Sequence, residues 1–184
     1  MFSIENISIK EYFELQDSSK YDIFIDTLTP DNIFSGKRFD ANRLTLDEVH
    51  VITQILKYSN IDKIKGMYIE LFKLGSFEIS AEKEFYNTSV FDLFRTKKYI
   101  NDFINNLVDT ENKLLKGVPD EKLIRIGAAE KLAPVSFLLT KMRLAEQFCV
   151  SPKEVGNWNY NYAFSLMIAN KKSNDIQREY AQLK

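Results

Sequence analysis

The chain has 184 residues, 45% hydrophobic and 28% charged, with 25 basic against 26 acidic side chains. That length suits one domain or two small ones, and the balance excludes disorder over most of the chain. A net charge of −1 with one Cys and one His excludes an overall basic excess, an internal disulfide and the common structural zinc sets.

Gly and Pro are scarce, at 6 and 4 residues, which favours helices over a many-turned β fold. The N-terminal MFSIENISIKEYF lacks a basic stretch followed by an apolar core, so no signal peptide is expected. No run of about 18 apolar residues occurs, so no membrane span is expected.

Taken in chain order, helix starts are legible. Ser8 and Glu11 form a capping-box pattern ahead of Tyr12, Phe13 and Leu15. Tyr21, Phe24, Ile25 and Leu28 share one helical stripe, and Thr29-Pro30 stops it. The stretch from Asp31 to Asn42 reads as a loop. Thr45 and Glu48 form a second capping box, opening a helix with Val49, Ile52, Ile55 and Leu56. His50 sits beside that stripe and reads as a surface or boundary residue, because no catalytic partner is identifiable. Ser59-Asn60 breaks the helix. The next apolar face is Ile61, Ile64, Met67, Tyr68, Leu71 and Phe72, with Gly75 as its C-cap.

Phe77 and Ile79 alternate with polar residues as in a short extended piece, and Ala81 to Phe85 fits a helical turn. Thr88 or Ser89 then caps the longest helix, Val90 to Lys116. A helix of that length can serve as a spine for shorter helices to cross. Its polar side carries Arg95, Lys97 and Lys98, a short basic cluster flanked by Asp92 and Asp102 that reads most simply as a solvated face.

Gly117-Val118-Pro119 is the best linker candidate. The expected division is an N-terminal helical part, 1–116, and a C-terminal helical part, 120–184, unless both form one continuous domain. Leu123, Ile124, Gly127, Ala128 and Leu132 lead to Ala133-Pro134, where Pro134 starts the helix bearing Phe137, Leu138, Met142, Leu144, Ala145 and Phe148. From Asn159 another helical pattern follows, with a weak point at Asn170 to Asn174 and a final short helix from Ile176 to Leu183.

The richest stretch is LAEQFCVSPKEVGNWNYNY, Leu144 to Tyr162. Ser151, Pro152 and Glu154 make a third capping box with Pro at the first helical position. Leu144, Ala145, Phe148, Val150, Val155 and Trp158 fall where a helix-turn-helix needs its interior residues, and Cys149 occupies the turn position that prefers Gly. Over residues 144–158 the chain thus resembles the helix-turn-helix of DNA-binding regulators, which implies a nucleic-acid binder. The exposed residues of the second helix oppose that reading. Lys153 is offset by Glu154, no Arg is present, and Gly156 weakens the helix by about 1 kcal/mol relative to Ala. Tyr160 and Phe164 form an i, i+4 core pair; Tyr162 lies off that stripe and is the better candidate for a partner surface.

Phe148, Ser151, Pro152, Glu154, Val155, Trp158, Tyr160 and Phe164 stand in an order similar to that in the C-terminal part of small helical bacteriophage morphogenesis proteins, notably tail assembly chaperones. The resemblance covers the last quarter of the chain, and Cys149 departs from the Gly usual there. It implies a virus-encoded protein that contacts other virion or tail proteins, in the host cytoplasm or in the particle, with self-association left open.

No P-loop, GxGxxG, HExxH or GxSxG motif is present, and the pairs Asp47/Glu48 and Asp120/Glu121 sit at helix starts, where capping accounts for them. The expectation is an all-α, irregular multi-helix bundle around the helix at 90–116, non-enzymatic, without cofactor or metal. Ser151, Pro152, Val155, Trp158, Tyr160, Tyr162 and Phe164 are its structural and interaction residues. The alternative is a helix-turn-helix nucleic-acid binder.

Overall fold

A computed structural model describes residues 7–56, 60–117 and 121–183. The chain is all-α apart from one small hairpin. Its helices are α1 (Ile9–Phe13), α2 (Ser19–Thr27), α3 (Leu46–Leu56), α4 (Ile61–Leu71), α5 (Glu78–Asn87), α6 (Val90–Leu115), α7 (Glu121–Arg125), α8 (Ala128–Leu132), α9 (Ser136–Phe148), α10 (Pro152–Gly156) and α11 (Tyr160–Gln182). The hairpin pairs β1 (Ile33–Phe34) with β2 (Lys37–Arg38) in antiparallel register. None of the described helices is long and apolar enough to cross a membrane.

Contacts divide the chain into two compact units, one comprising 1–40 and 52–106, the other 41–51 and 107–184. Both α3 and α6 therefore contribute residues to each unit. Val118, Pro119 and Asp120, at the expected linker, lie outside the described residues, as does Ser59 at the expected break after α3.

In the first unit Phe34, Tyr68, Phe72 and Phe85 form a buried aromatic cluster, with Phe34 and Tyr68 edge to face at 4.8 Å. Such pairs add to plain area burial because ring edges and faces carry opposite partial charge. Tyr68 is fully buried, and its hydroxyl donates to the Leu93 carbonyl at 3.1 Å with Thr96 Oγ1 at 3.0 Å. Glu84 ties three segments together. Its carboxylate accepts from Lys37 Nζ at 2.8 Å, from Ser35 Oγ at 3.0 Å and from the Gly75 N–H at 2.8 Å. Lys37, first, and the other donors hold its carboxyl below the usual carboxylate range against the opposing effect of burial.

Several local expectations differ from what is found. The stretch read as a loop contains the hairpin, whose turn residues Ser35 and Gly36 both have positive φ, 50° and 70°, as a two-residue hairpin turn requires. The helix α4 ends earlier than Gly75. Lys73 takes the left-handed conformation, with Leu74 N–H donating to Ile69 at 3.0 Å and Lys73 N–H to Glu70 at 3.3 Å, a Schellman closure. Gly75 instead permits close approach to α5, since a Cβ there would lie 2.7 Å from Ala81 Cα. Phe77 and Ile79 form no strand. They open α5 and stand 80% and 84% exposed.

In the second unit the expected break at residues 170–174 is absent, and α11 runs unbroken. Two interactions bridge the polar stretch: an ion pair between Lys171 and Asp175, and a reciprocal amide pair between Asn170 and Gln147 of α9. Pro134 lies in a 3₁₀ turn, Ala133–Val135, immediately ahead of α9.

Candidate interaction surface

The helix pair α9–α10 is closed by a Schellman turn. Cys149 is left-handed at φ 54°, and Val150 N–H donates to Ala145 at 3.0 Å. A side chain in that conformation is strained by roughly 1–2 kcal/mol, which is why the position prefers Gly. Ser151 caps α10 by accepting from the Glu154 N–H at 3.2 Å, and Pro152 stands in the first turn. Leu144, Ala145 and Val155 are buried, so α10 packs on α9 through the small Ala145.

α10 spans five residues and is anchored on its other side as well. Leu46 N–H donates to the Trp158 carbonyl at 2.9 Å, and Tyr160 N–H to the Leu44 carbonyl at 2.8 Å. Asn159 caps α11 by accepting from the Asn161 and Tyr162 N–H groups, and its own amide donates to the Asn42 carbonyl at 2.6 Å. The N-terminus of α3 thus holds the entrance of α11. Gly156 lies against the Asp47 carboxylate, so the glycine in α10 serves close packing, and a side chain there would have to displace that carboxylate. Asp47 in turn pairs with Lys141 at 2.8 Å. Lys141 lies 4.9 Å from the Phe137 ring centre, and His50 stacks on the other residue of that pair, its ring 3.8 Å from Phe137.

Trp158 is half-buried and meets Phe148 edge-on at 5.4 Å and Tyr162 at 5.7 Å. Tyr160 is buried, stacks on Phe164 at 5.7 Å, and donates its hydroxyl to Glu111 Oε1 at 2.7 Å. Burial first, and the Glu111 carboxylate second, push the Tyr160 phenol far above its ordinary value. Tyr162 is 53% exposed. The structure therefore gathers Phe148, Trp158 and Tyr162 into one aromatic edge and turns Tyr160 and Phe164 away into packing.

The basic residues of α6 do not form a common patch. Lys98 Nζ donates to the Asp26 and Leu28 carbonyls, both at 3.2 Å, closing the end of α2. Arg95 is half-buried with its Nε buried and without a hydrogen-bond partner. Lys97 is half-buried.

The largest feature missed from sequence is apolar. Leu123, Ile124, Ile126, Leu132, Val135, Leu138 and Met142, on α7, α8, the 3₁₀ turn and α9, are all between 42% and 62% exposed. Leu123, Ile124, Leu132, Leu138 and Met142 belong to the apolar helical patterns that the sequence shows in this segment. One available signal is the run Leu123, Ile124 and Ile126 on and just after a helix of five residues. Side chains at consecutive helical positions point about 100° apart, so a single neighbour cannot cover them all. No cluster of three or more metal-ligating side chains occurs among the described residues. Comparisons with protein families, with curated proteins and with solved structures find no match for this chain.

Proposed function

We propose that this chain is a bacteriophage structural or assembly protein acting through protein–protein contacts, in tail or connector morphogenesis. The observation that carries the protein-contact part is the exposed apolar run from Leu123 to Met142. Single exposed apolar side chains are ordinary, whereas so many half-exposed ones within one short segment are of the kind that marks an interaction site. The aromatic edge of Phe148, Trp158 and Tyr162 adds residue types enriched at interface centres. The phage setting rests on the resemblance of residues 148–164.

The form of α10 supports protein contact over operator binding. A five-residue helix with Gly156 packed against Asp47 presents little surface to a groove. Reading bases calls for a helix whose exposed face reaches base edges and phosphates.

The test is capture of virion proteins by the tagged chain from phage-infected cells, with Ile124→Glu/Leu138→Glu alongside. The expected outcome is enrichment of tail or connector proteins by the parent chain and its loss in the variant. Capture of no virion protein, or a salt-sensitive shift of duplex DNA in their place, would overturn the proposal.

A further inference from the structure

Between the end of α6, α9 and the second half of α11 lies a long groove. Its two main depressions have volumes of about 530 and 760 Å³, and both are lined by Gly117, Lys171, Asp175 and Arg178. The size falls within the range of sites that hold an extended ligand. Its walls are cationic. Arg143, Arg178, Lys113 and Lys116 face it and carry no ion pair among the described residues, whereas Lys171 is paired with Asp175. Glu179 is the other acidic lining residue. The groove therefore concentrates positive charge on a chain whose net charge is −1, with Lys113, Lys116, Arg143, Lys171 and Arg178 against Asp175 and Glu179.

The apolar part of its floor is Leu115, Met167 and the almost fully buried Leu144, all in the 530 Å³ depression, with the polar Thr140, Asn170, Ser173 and Asn174 around them. Aromatic side chains are absent from the groove lining among the described residues. A single-stranded nucleic acid would draw much of its affinity from aromatic stacking platforms. Arginine forks pair bidentately with carboxylates, and an apolar floor between charged walls suits a segment with apolar residues at helical spacing.

We infer that this groove docks an acidic, amphipathic peptide segment of a protein partner. The arginines and lysines receive Asp and Glu side chains, and the floor receives the apolar residues between them. This rests on the protein-contact reading above and names the partner chemistry for one surface.

The experiment measures anisotropy of a labelled peptide of Leu and Glu at helical spacing against the full chain, with tripolyphosphate and an oligothymidylate of equal charge as competitors. The expected result is peptide binding that weakens as salt rises. It falls about five- to tenfold in Arg143→Glu/Arg178→Glu, because two exposed attractive charges become repulsive ones. Lys153→Glu, an exposed residue outside the groove, leaves it unchanged, and circular dichroism checks that each variant is folded. Absence of binding, indifference to the groove variant, or tighter binding of the oligothymidylate overturns the inference. The same groove variant in the virion-protein capture separates the two proposals. Capture retained by the variant removes the groove and leaves the function standing; failure of the parent chain to capture anything removes the function.

Discussion

The Gly156 Cα faces the Asp47 carboxylate so closely that a Cβ there would lie within 2.7 Å of Asp47 Oδ1, and closer still to Oδ2. The carboxylate cannot swing away freely, because Lys141 holds it at 2.8 Å. Gly156→Ala therefore collides, costing about 1–3 kcal/mol as an overpacking substitution. That outweighs the gain of about 1 kcal/mol in helix propensity. Asp47→Ala removes the obstacle, so in that background Gly156→Ala is expected to become neutral or stabilising. Urea denaturation of the four proteins gives the coupling; additive effects would show that the two residues do not meet.

Cys149 adopts φ 54° at the end of α9, where a side chain strains the backbone. Cys149→Gly should raise stability by roughly 0.5–1 kcal/mol, the relief of strain outweighing the added freedom of the unfolded glycine. A rise in thermal midpoint is the readout, and Cys149→Val, β-branched, should lower it.

Glu84 joins the hairpin turn, Gly75 and α5. Its folded-state carboxyl is held below 4.5, chiefly by Lys37. For a group depressed on folding, the stabilisation is fully present above the unfolded value and is lost as pH falls through the folded one. Stability should therefore decline below about pH 4.5, and Glu84→Gln should flatten that part of the profile. At neutral pH the variant should lose about 1–3 kcal/mol through weakened hydrogen bonds to Lys37, Ser35 and Gly75. A parallel pH profile in parent and variant would contradict this.

Tyr68 and Tyr160 are both pushed above their ordinary value of 10.0, burial being the first cause in each. A folded value raised above the unfolded one contributes stability below the unfolded value, and that contribution is lost as pH rises beyond it. Phenolate absorbance in alkaline titration should show these two tyrosines ionising only as the chain unfolds. Tyr68→Phe and Tyr160→Phe should each remove one tyrosine from that late phase. Ionisation of either before loss of helical circular dichroism would refute the burial argument.

Much of the helical framework is legible in local chemistry. Ser8 with Glu11, Thr45 with Glu48, and Ser151 all cap the helices that their spacing announces. The left-handed turn at Cys149 follows from pattern as well. Errors arise where two local signals compete. Gly75 looks like a helix stop, but Lys73 takes the left-handed position first. Ser35-Gly36 is a weak turn signal, and its hairpin is only two residues on each side.

The candidate surface is less legible, for a different reason. Caps and stripes arise between residues a few positions apart, and those spacings can be read along the chain. Whether Leu123 or Ile124 is covered depends on what another segment brings to it. The reason α10 carries a glycine is an aspartate on α3, itself held by a lysine 94 positions away. Sequence establishes an all-α chain, its helix starts and the tight turn at Cys149, because hydrogen bonding and periodicity are local. Folding in three dimensions sets which apolar faces stay open, why Gly156 is there, and where the cations of α6, α9 and α11 converge, because burial and charge clustering are sums over residues far apart in the chain.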